Sequence, residues 1–266
     1  MIPKIIHYCW IGGAPLPPIA ERCIASWKEY MPEWELKRWD ETNFDIAVAP
    51  LYVRQAYEAR KFAFVSDYVR LWALEQYGGL YMDVDFMVYR SFDELMDKYP
   101  AFAGYEGSKR QPVMQGVIAS EPHGAWVRDM LSTYESREFI QPDGSLDMTP
   151  NTAYFTDRLE AQGFIADGVE KDVYVRSERI NELENEGDSL NIKHSTLNIF
   201  LLHVFPVQYF CPVLTTGEDV RTAETYCEHM RLGSWGNGAN WKVKVLRLFS
   251  PEVQTRLMKI KRKILG

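Results

Sequence analysis

Two aspartates interrupt an otherwise apolar run in the first third of the chain, LYMDVDFMVY, residues 80–89. Read as one buried strand, this run points Asp83 and Asp85 to one face and Val84 to the other. Two carboxylates side by side in an apolar wall repel each other. They need a cation, or one must hold a proton. Hard carboxylate oxygens suit Mg²⁺ or Mn²⁺, and such a metal commonly bridges to phosphate groups. Upstream, Asp67 and Arg70 stand three residues apart on an apolar stretch with helical spacing, hence on one face. Such a pair serves equally as a structural ion pair or as a holder of ligand hydroxyls and phosphate. Trp10-Ile11 is followed by Gly12-Gly13, an open backbone beside a flat ring. That ring reads either as core or as a stacking platform. His229 gains interest from the Ser234-Trp235 loop behind it, in RLGSWGNGANW. A histidine by itself is more often a surface or core residue.

These residues need elements to position them. Phe64, Tyr68, Leu71 and Trp72 recur at helical spacing, with Val65, Val69 and Ala73 on the neighbouring face. The segment is apolar nearly all round and is expected to be buried. Gly78-Gly79 ends it. Earlier, residues 4–11 read as a strand, 19–30 as a helix, 34–39 as a second strand and 52–60 as a short helix. The alternation predicts an α/β fold, with a Rossmann-like, mostly parallel sheet and helices on both faces. Ligands of such sheets sit at the carboxyl ends of strands, where Trp10 and the two aspartates would share a crevice.

Beyond Arg90, strands are expected at 101–105, 113–120 and 200–210, and helices at 92–98, 126–134 and 151–160. The acidic stretch 178–191 reads as a solvated loop or lid. Ser250-Pro251 has the form of a helix start. In the helix that follows, Val253, Leu257, Ile260 and Ile264 form a stripe flanked by Arg256, Lys259, Lys261, Arg262 and Lys263. The chain is therefore read as one domain, 1–249, and a basic amphipathic C-terminal helix, 250–266. That helix either packs on the core or lies on an anionic membrane surface through residues 251–265.

Bulk properties set limits. The 266 residues are 46% hydrophobic and 25% charged, enough for one substantial core. The net charge of −7 argues against nucleic acid as the main partner. Cys9, Cys23, Cys211 and Cys227 form no C-x-x-C pair and read as reduced thiols of a cytoplasmic protein. The first residues lack a signal-peptide pattern, and no stretch has membrane-spanning length.

Three blocks together carry a resemblance: IPKIIHYCWIGG, SDYVRLWALEQYGGLYMDVD and HMRLGSW. They resemble the glycosyltransferases with a D-x-D sugar-binding region, family 32. That family includes Och1-type mannosyltransferases and capsular polysaccharide enzymes, and the clostridial glycosylating toxins are similar in the same blocks. The resemblance implies a GT-A fold, a nucleotide-sugar donor, Mn²⁺ or Mg²⁺, and transfer with retention to a glycan or lipid-linked glycan acceptor. It implies that Trp10, beside Ile11, stacks on the base, that Asp67 and Arg70 hold the donor sugar, and that Tyr81 lines the pocket. Asp83 would meet ribose and metal, Asp85 and His229 would ligate the metal, and Ser234 and Trp235 would close over the diphosphate. Gln115, in VMQGVIASEP, stands where the family often has an asparagine. TPNTAYFTDRL resembles a family T-G-P segment without its glycine.

Two other classes compete. A D-x-D phosphatase or phosphotransferase would carry its motif on the first strand, with Thr or Val two residues after the second aspartate. Here Met87 holds that place. A non-catalytic sugar- or metal-binding module needs neither a stacking tryptophan nor a diphosphate loop.

Overall fold

The computed structural model describes residues 1–107, 112–176 and 198–231. Three parallel strands start the sheet: β1 (Ile5–Cys9), β2 (Glu35–Trp39) and β3 (Gly79–Met82), in the order β2-β1-β3. Next to β3 comes β6 (Val117–Ser120), antiparallel to it. Beyond lie β5 (Ala101–Gly104), β8 (Asn198–Phe205) and β7 (Lys171–Arg176). The seven-stranded order is β2-β1-β3-β6-β5-β8-β7. Only β6 and β7 run against the others, so five of the seven strands share one direction. The α/β fold with a mostly parallel sheet is therefore what the chain adopts.

Side-chain alternation along the strands makes two cores. Tyr81, Ala103 and Ile118 face one side, packed with Val65, Val69, Trp126 and Phe155. Those partners come from α3 (Phe62–Tyr77), α5 (Ala125–Ser132) and α6 (Asn151–Glu160). On the other face Leu80, Met82, Phe102 and Ala119 meet Ile24, Trp27 and Leu95. These belong to α1 (Pro18–Tyr30) and α4 (Asp93–Lys98). The remaining helix, α2 (Leu51–Glu58), packs on α3. Helices thus cover both faces, as the β-α alternation predicts. Among the described residues no helix is long and apolar enough to cross a membrane.

The seam between α3 and β3 depends on glycine. Gly78 ends the helix at φ +61°, donating to Leu74 O at 2.9 Å. A Cβ there would stand 2.5 Å from Pro122 Cδ. Gly78 O in turn receives His7. Trp39 Nε1 donates to His7 Nδ1 at 3.1 Å. An indole N–H only donates, so Nδ1 is the acceptor and Nε2–H donates to Gly78 O at 2.8 Å. Burial lowers the His7 pKa to about 4, so the ring is neutral. One histidine thereby ties β1, β2 and the end of α3 together.

Several expected boundaries change. Residues 80–89 do not form one strand. β3 stops at Met82; the Asp83 N–H still donates to Gly116 O at 2.8 Å, one pair further in the β3–β6 register, and the chain then leaves the ladder. A turn follows, closed by Phe86 N–H to Asp83 O at 3.1 Å. β4 (Phe86–Val88) leaves the sheet and pairs with β9 (Cys227–His229). Phe86 and Val88 still enter the α1-side core. Their burial explains why the run is apolar without being a single strand. Likewise, 113–120 is strand only from Val117. Val113 makes an isolated bridge to Tyr105, and residues 114–116 leave the ladder. The late strand ends at Phe205 rather than Phe210.

Met1–His229 forms one compact unit. The acidic stretch 178–191, Ser234, Trp235, the boundary at 249/250 and the basic helix lie outside the described residues.

Candidate active site

Arg70 is the hub of the site. Helix α3 carries it fully into the protein, with Asp67 one turn earlier. Their ion pair measures 2.9 Å, and both side chains are under 5% exposed. The same Nη2 lies 3.4 Å from Asp83 Oδ1. Nη1 donates to Gln115 O at 2.6 Å, and Nε donates to Ser66 O at 3.3 Å. The guanidinium lies 4.7 Å from the centre of the Tyr81 ring. The Tyr81 hydroxyl donates to Asp83 Oδ1 at 2.8 Å. One cation therefore binds together α3, the turn after β3 and the segment before β6.

The charges do not balance comfortably. Burial pushes the Asp67 carboxyl up to about 7, with Arg70 pulling it back and Asp83 adding to the rise. Burial also raises Asp83, opposed by Arg70 and assisted by Asp85. For Arg70 burial works against the cation, but Asp83, Tyr81 and Asp67 carry its pKa above the ordinary value. Carboxylates crowded around one guanidinium in a desolvated place favour a further cation or hydrogen-bond donor.

Asp85 sits across the turn and meets a different partner. Its Oδ2 lies 3.2 Å from His229 Nε2. The β4–β9 register puts Phe86 opposite His229, and the two rings stack at 4.6 Å with planes 7° apart. Burial disfavours charge on His229, but Asp85 outweighs it and raises the histidine's pKa. An ion that displaces the histidine's proton would meet an oxygen from Asp85 and a nitrogen from His229. Asp83 is engaged by Tyr81 and Arg70, and among the described residues no three His, Cys, Asp or Glu side chains gather as a metal cage. The donor set fits a divalent ion that accepts an imidazole nitrogen beside carboxylate oxygen and completes its shell from phosphate oxygens and water; Mg²⁺, which prefers oxygen throughout, matches the imidazole less well.

Trp10 and Ile11 follow β1 at the edge where Asp83 follows β3. The register Ile6↔Leu80 and His7↔Tyr81 fixes this. Trp10 N–H donates to Trp39 O at 2.9 Å, and its indole donates to Ala14 O at 2.5 Å. Trp10 is half-buried, and Ile11 is buried. Gly12, at φ +97°, has Phe62 of α3 where its Cβ would be, at 2.3 Å. A cleft of about 490 Å³ opens after β2, lined by Glu41, Phe44, Asp45 and Tyr57 among others. Glu41 accepts from Gly12 N at 2.7 Å, so this cleft borders the Trp10 loop rather than the carboxylates.

Gln115 reaches the site through its carbonyl, while its buried side chain has neither polar atom hydrogen-bonded. Gly116 escapes the sequence reading. A Cβ there would stand 2.9 Å from Asp83 Oδ2 and 2.7 Å from Phe86 Cε2. Its signal is a lone glycine at the head of an apolar strand, which marks close approach of another group.

Residues 17–102 match the family described as glycosyltransferase sugar-binding region containing DXD motif. The segment runs from just before α1 to the start of β5 and contains Asp67, Arg70, Tyr81, Asp83 and Asp85. The resemblance read from the sequence stands on this segment, which is similar to the D-x-D sugar-binding region of glycosyltransferases. Glucan organizing enzyme 1 of Cryptococcus neoformans var. grubii serotype A is 31% identical over 85 residues. That match spans 29% of this chain and 23% of the relative's length. Among solved structures, PaToxG glycosyltransferase is similar at 18% identity and a TM-score of 0.44, over 60% of this chain and 69% of its own. The galactosyltransferase LgtC, solved with donor and acceptor sugar analogues, gives 17% identity and a TM-score of 0.32. That likeness covers 49% of this chain and 63% of LgtC.

Proposed function

We propose that this chain is a metal-dependent, retaining glycosyltransferase of GT-A type. It moves a hexose from a nucleotide-sugar, a UDP-sugar ahead of GDP-mannose, to a glycan or lipid-linked glycan in surface polysaccharide synthesis. The observation that carries the reading is the Asp67–Arg70–Asp83 network, its Asp67–Arg70 pair desolvated, with Asp85–His229 beside it. It stands at the carboxyl edge of parallel strands, inside a D-x-D sugar-binding region.

Each residue then has a task. Trp10 takes the base on its ring, with Ile11 beside it. Asp67 accepts from sugar hydroxyls, and Arg70 donates near the leaving diphosphate. Arg70 is already fixed by Asp67, Asp83 and the Gln115 carbonyl, so its orientation need not be found during the reaction. Asp85 and His229, with Asp83, would hold Mn²⁺ or Mg²⁺. When bound, that ion stabilises the charge that develops on the diphosphate. Ser234 and Trp235 are assigned to cover the diphosphate. The sugar's acceptor attacks from the side the diphosphate leaves, which accounts for retention without a carboxylate nucleophile. A cytoplasmic location, with peripheral membrane contact through residues 251–265, suits a lipid-linked acceptor.

Calorimetric titration with UDP and with GDP, with and without Mn²⁺, tests the reading. Binding that requires Mn²⁺ is expected. Absence of metal-dependent nucleotide binding would sink it, and phosphate release from simple phosphate esters would favour the phosphotransferase class instead.

A further inference from the structure

Among the described residues, two carboxamides are buried with neither polar atom hydrogen-bonded: Gln115 and Asn151. They are 1% and 4% exposed. A buried amide without partners bears its full desolvation cost, and an apolar side chain of similar volume would relieve it. Gln115 already belongs to the site through its carbonyl. Asn151 is the first residue of α6, behind Pro150, and no side chain caps that helix.

Helix α6 is fixed on two sides. Val113 N–H donates to Thr156 Oγ1 at 2.8 Å, two residues before Gln115. One turn from Asn151, Tyr154 lies under the Arg137 guanidinium at 3.6 Å. Arg137 also lies over Tyr52 at 4.4 Å, and its charge acts on the Asp67 carboxyl. Helix α6 is thereby tied to the Gln115 segment at Thr156 and to the surroundings of Asp67 at Tyr154.

The chemistry offered there is neutral. A carboxamide presents one acceptor and two donors, which matches hydroxyls that both donate and accept. A sugar carboxylate or phosphate would require a spare cation. Arg70 is paired with Asp67 and Asp83, and Arg137 is paired with Asp147 at 3.0 Å. We infer that Asn151, together with Gln115, reads the hydroxyls of a neutral hexose on the donor, which makes Asn151 a specificity-determining residue. This rests on the glycosyltransferase reading and adds the class of sugar to it.

The test compares two ratios in the full-length chain with Mn²⁺ present. One is the affinity for UDP-glucose or UDP-galactose relative to UDP, the other that for GDP-mannose relative to GDP. Asn151→Leu is expected to lower the sugar-dependent ratio about tenfold, the loss of roughly one hydroxyl hydrogen bond or more. Affinity for the nucleoside diphosphate should stay the same, and the ligand-free melting temperature should hold or rise. A melting temperature lowered by several degrees in both Asn151→Leu and Asn151→Ala would show that the amide has partners in the ligand-free protein, which overturns the inference. An unchanged sugar ratio overturns it as well. Asn151→Ala adds no bulk and carries the ratio test where the leucine variant does not fold. Wild-type protein that binds no nucleotide at all would refute the glycosyltransferase reading itself, a result distinct from either failure of Asn151.

Discussion

Two acid–base clusters border different strands of the same sheet and look alike by distance. At β7–β8, His203 Nδ1 lies 2.7 Å from Asp172 Oδ1, and Nε2 lies 3.0 Å from Glu170 Oε1. At α3–β3, Arg70 lies 2.9 Å from Asp67 and 3.4 Å from Asp83. Water separates the two cases. The carboxylates around His203 are 45% and 42% exposed, whereas Asp67 is 4% exposed and Asp83, at the cluster's open side, 29%. Exposed carboxylates keep most of their hydration, so the first cluster only ties two strands together. Buried ones do not, and the second cluster bears a cost in the ligand-free protein that a bound cation or hydroxyl would offset. Contact distance alone would have called both of them salt bridges.

The largest effect expected from this contrast is on catalysis. Asp85→Asn should cut sugar transfer by at least ~100-fold, on the order of 3 kcal/mol, through loss of one holder of the ion. Its far-UV circular dichroism should match wild type. Activity within a few-fold of wild type would remove Asp85 from the metal role.

A smaller effect should appear in stability against pH. The folded-state pKa of Asp67 is raised from 3.8 to about 7. The protonated form is therefore favoured by folding. The contribution of Asp67 is fully present below the unfolded value and is lost as pH rises through about 7. Asp67→Asn stays neutral, so its ligand-free melting temperature should gain on wild type between pH 5 and pH 8, by the equivalent of roughly a few kcal/mol. A difference that is flat with pH would mean that Asp67 is as well solvated as Asp172.

The smallest effect belongs to the other cluster. Asp172→Asn should change stability by about 1 kcal/mol or less, as exposed pairs do, and leave transfer within about twofold of wild type. A large loss of transfer would put β7–β8 into the active site and erase the contrast.

Much of the site was legible in one dimension. S-D-x-x-R and D-x-D lie within twenty residues, on a helix and just past the strand after it, joined by Gly78-Gly79. Helical spacing puts Asp67 and Arg70 on one face, and the order β-α-β sends Trp10 and Asp83 to the same sheet edge. Spacing also suggested that Asp83 and Asp85 share a strand face, and there it misled. An apolar run reads the same whether its residues fill one strand or two strands separated by a turn, since both bury them.

The local order of residues by itself determined the α/β class, the direction of the first strands, the helix that carries Arg70 and the candidacy of the two aspartates. Helical and strand periodicity and glycine stops act over a few residues and need no distant partner. Tertiary structure alone decided that β4 turns away to pair with β9, bringing His229 from more than a hundred residues on to face Asp85. It alone decided that Gly116 must lack a side chain beside Asp83, and that Gln115 and Asn151 lie buried without partners. Desolvation and steric approach depend on which distant segments exclude water from a given atom, and no local pattern encodes that.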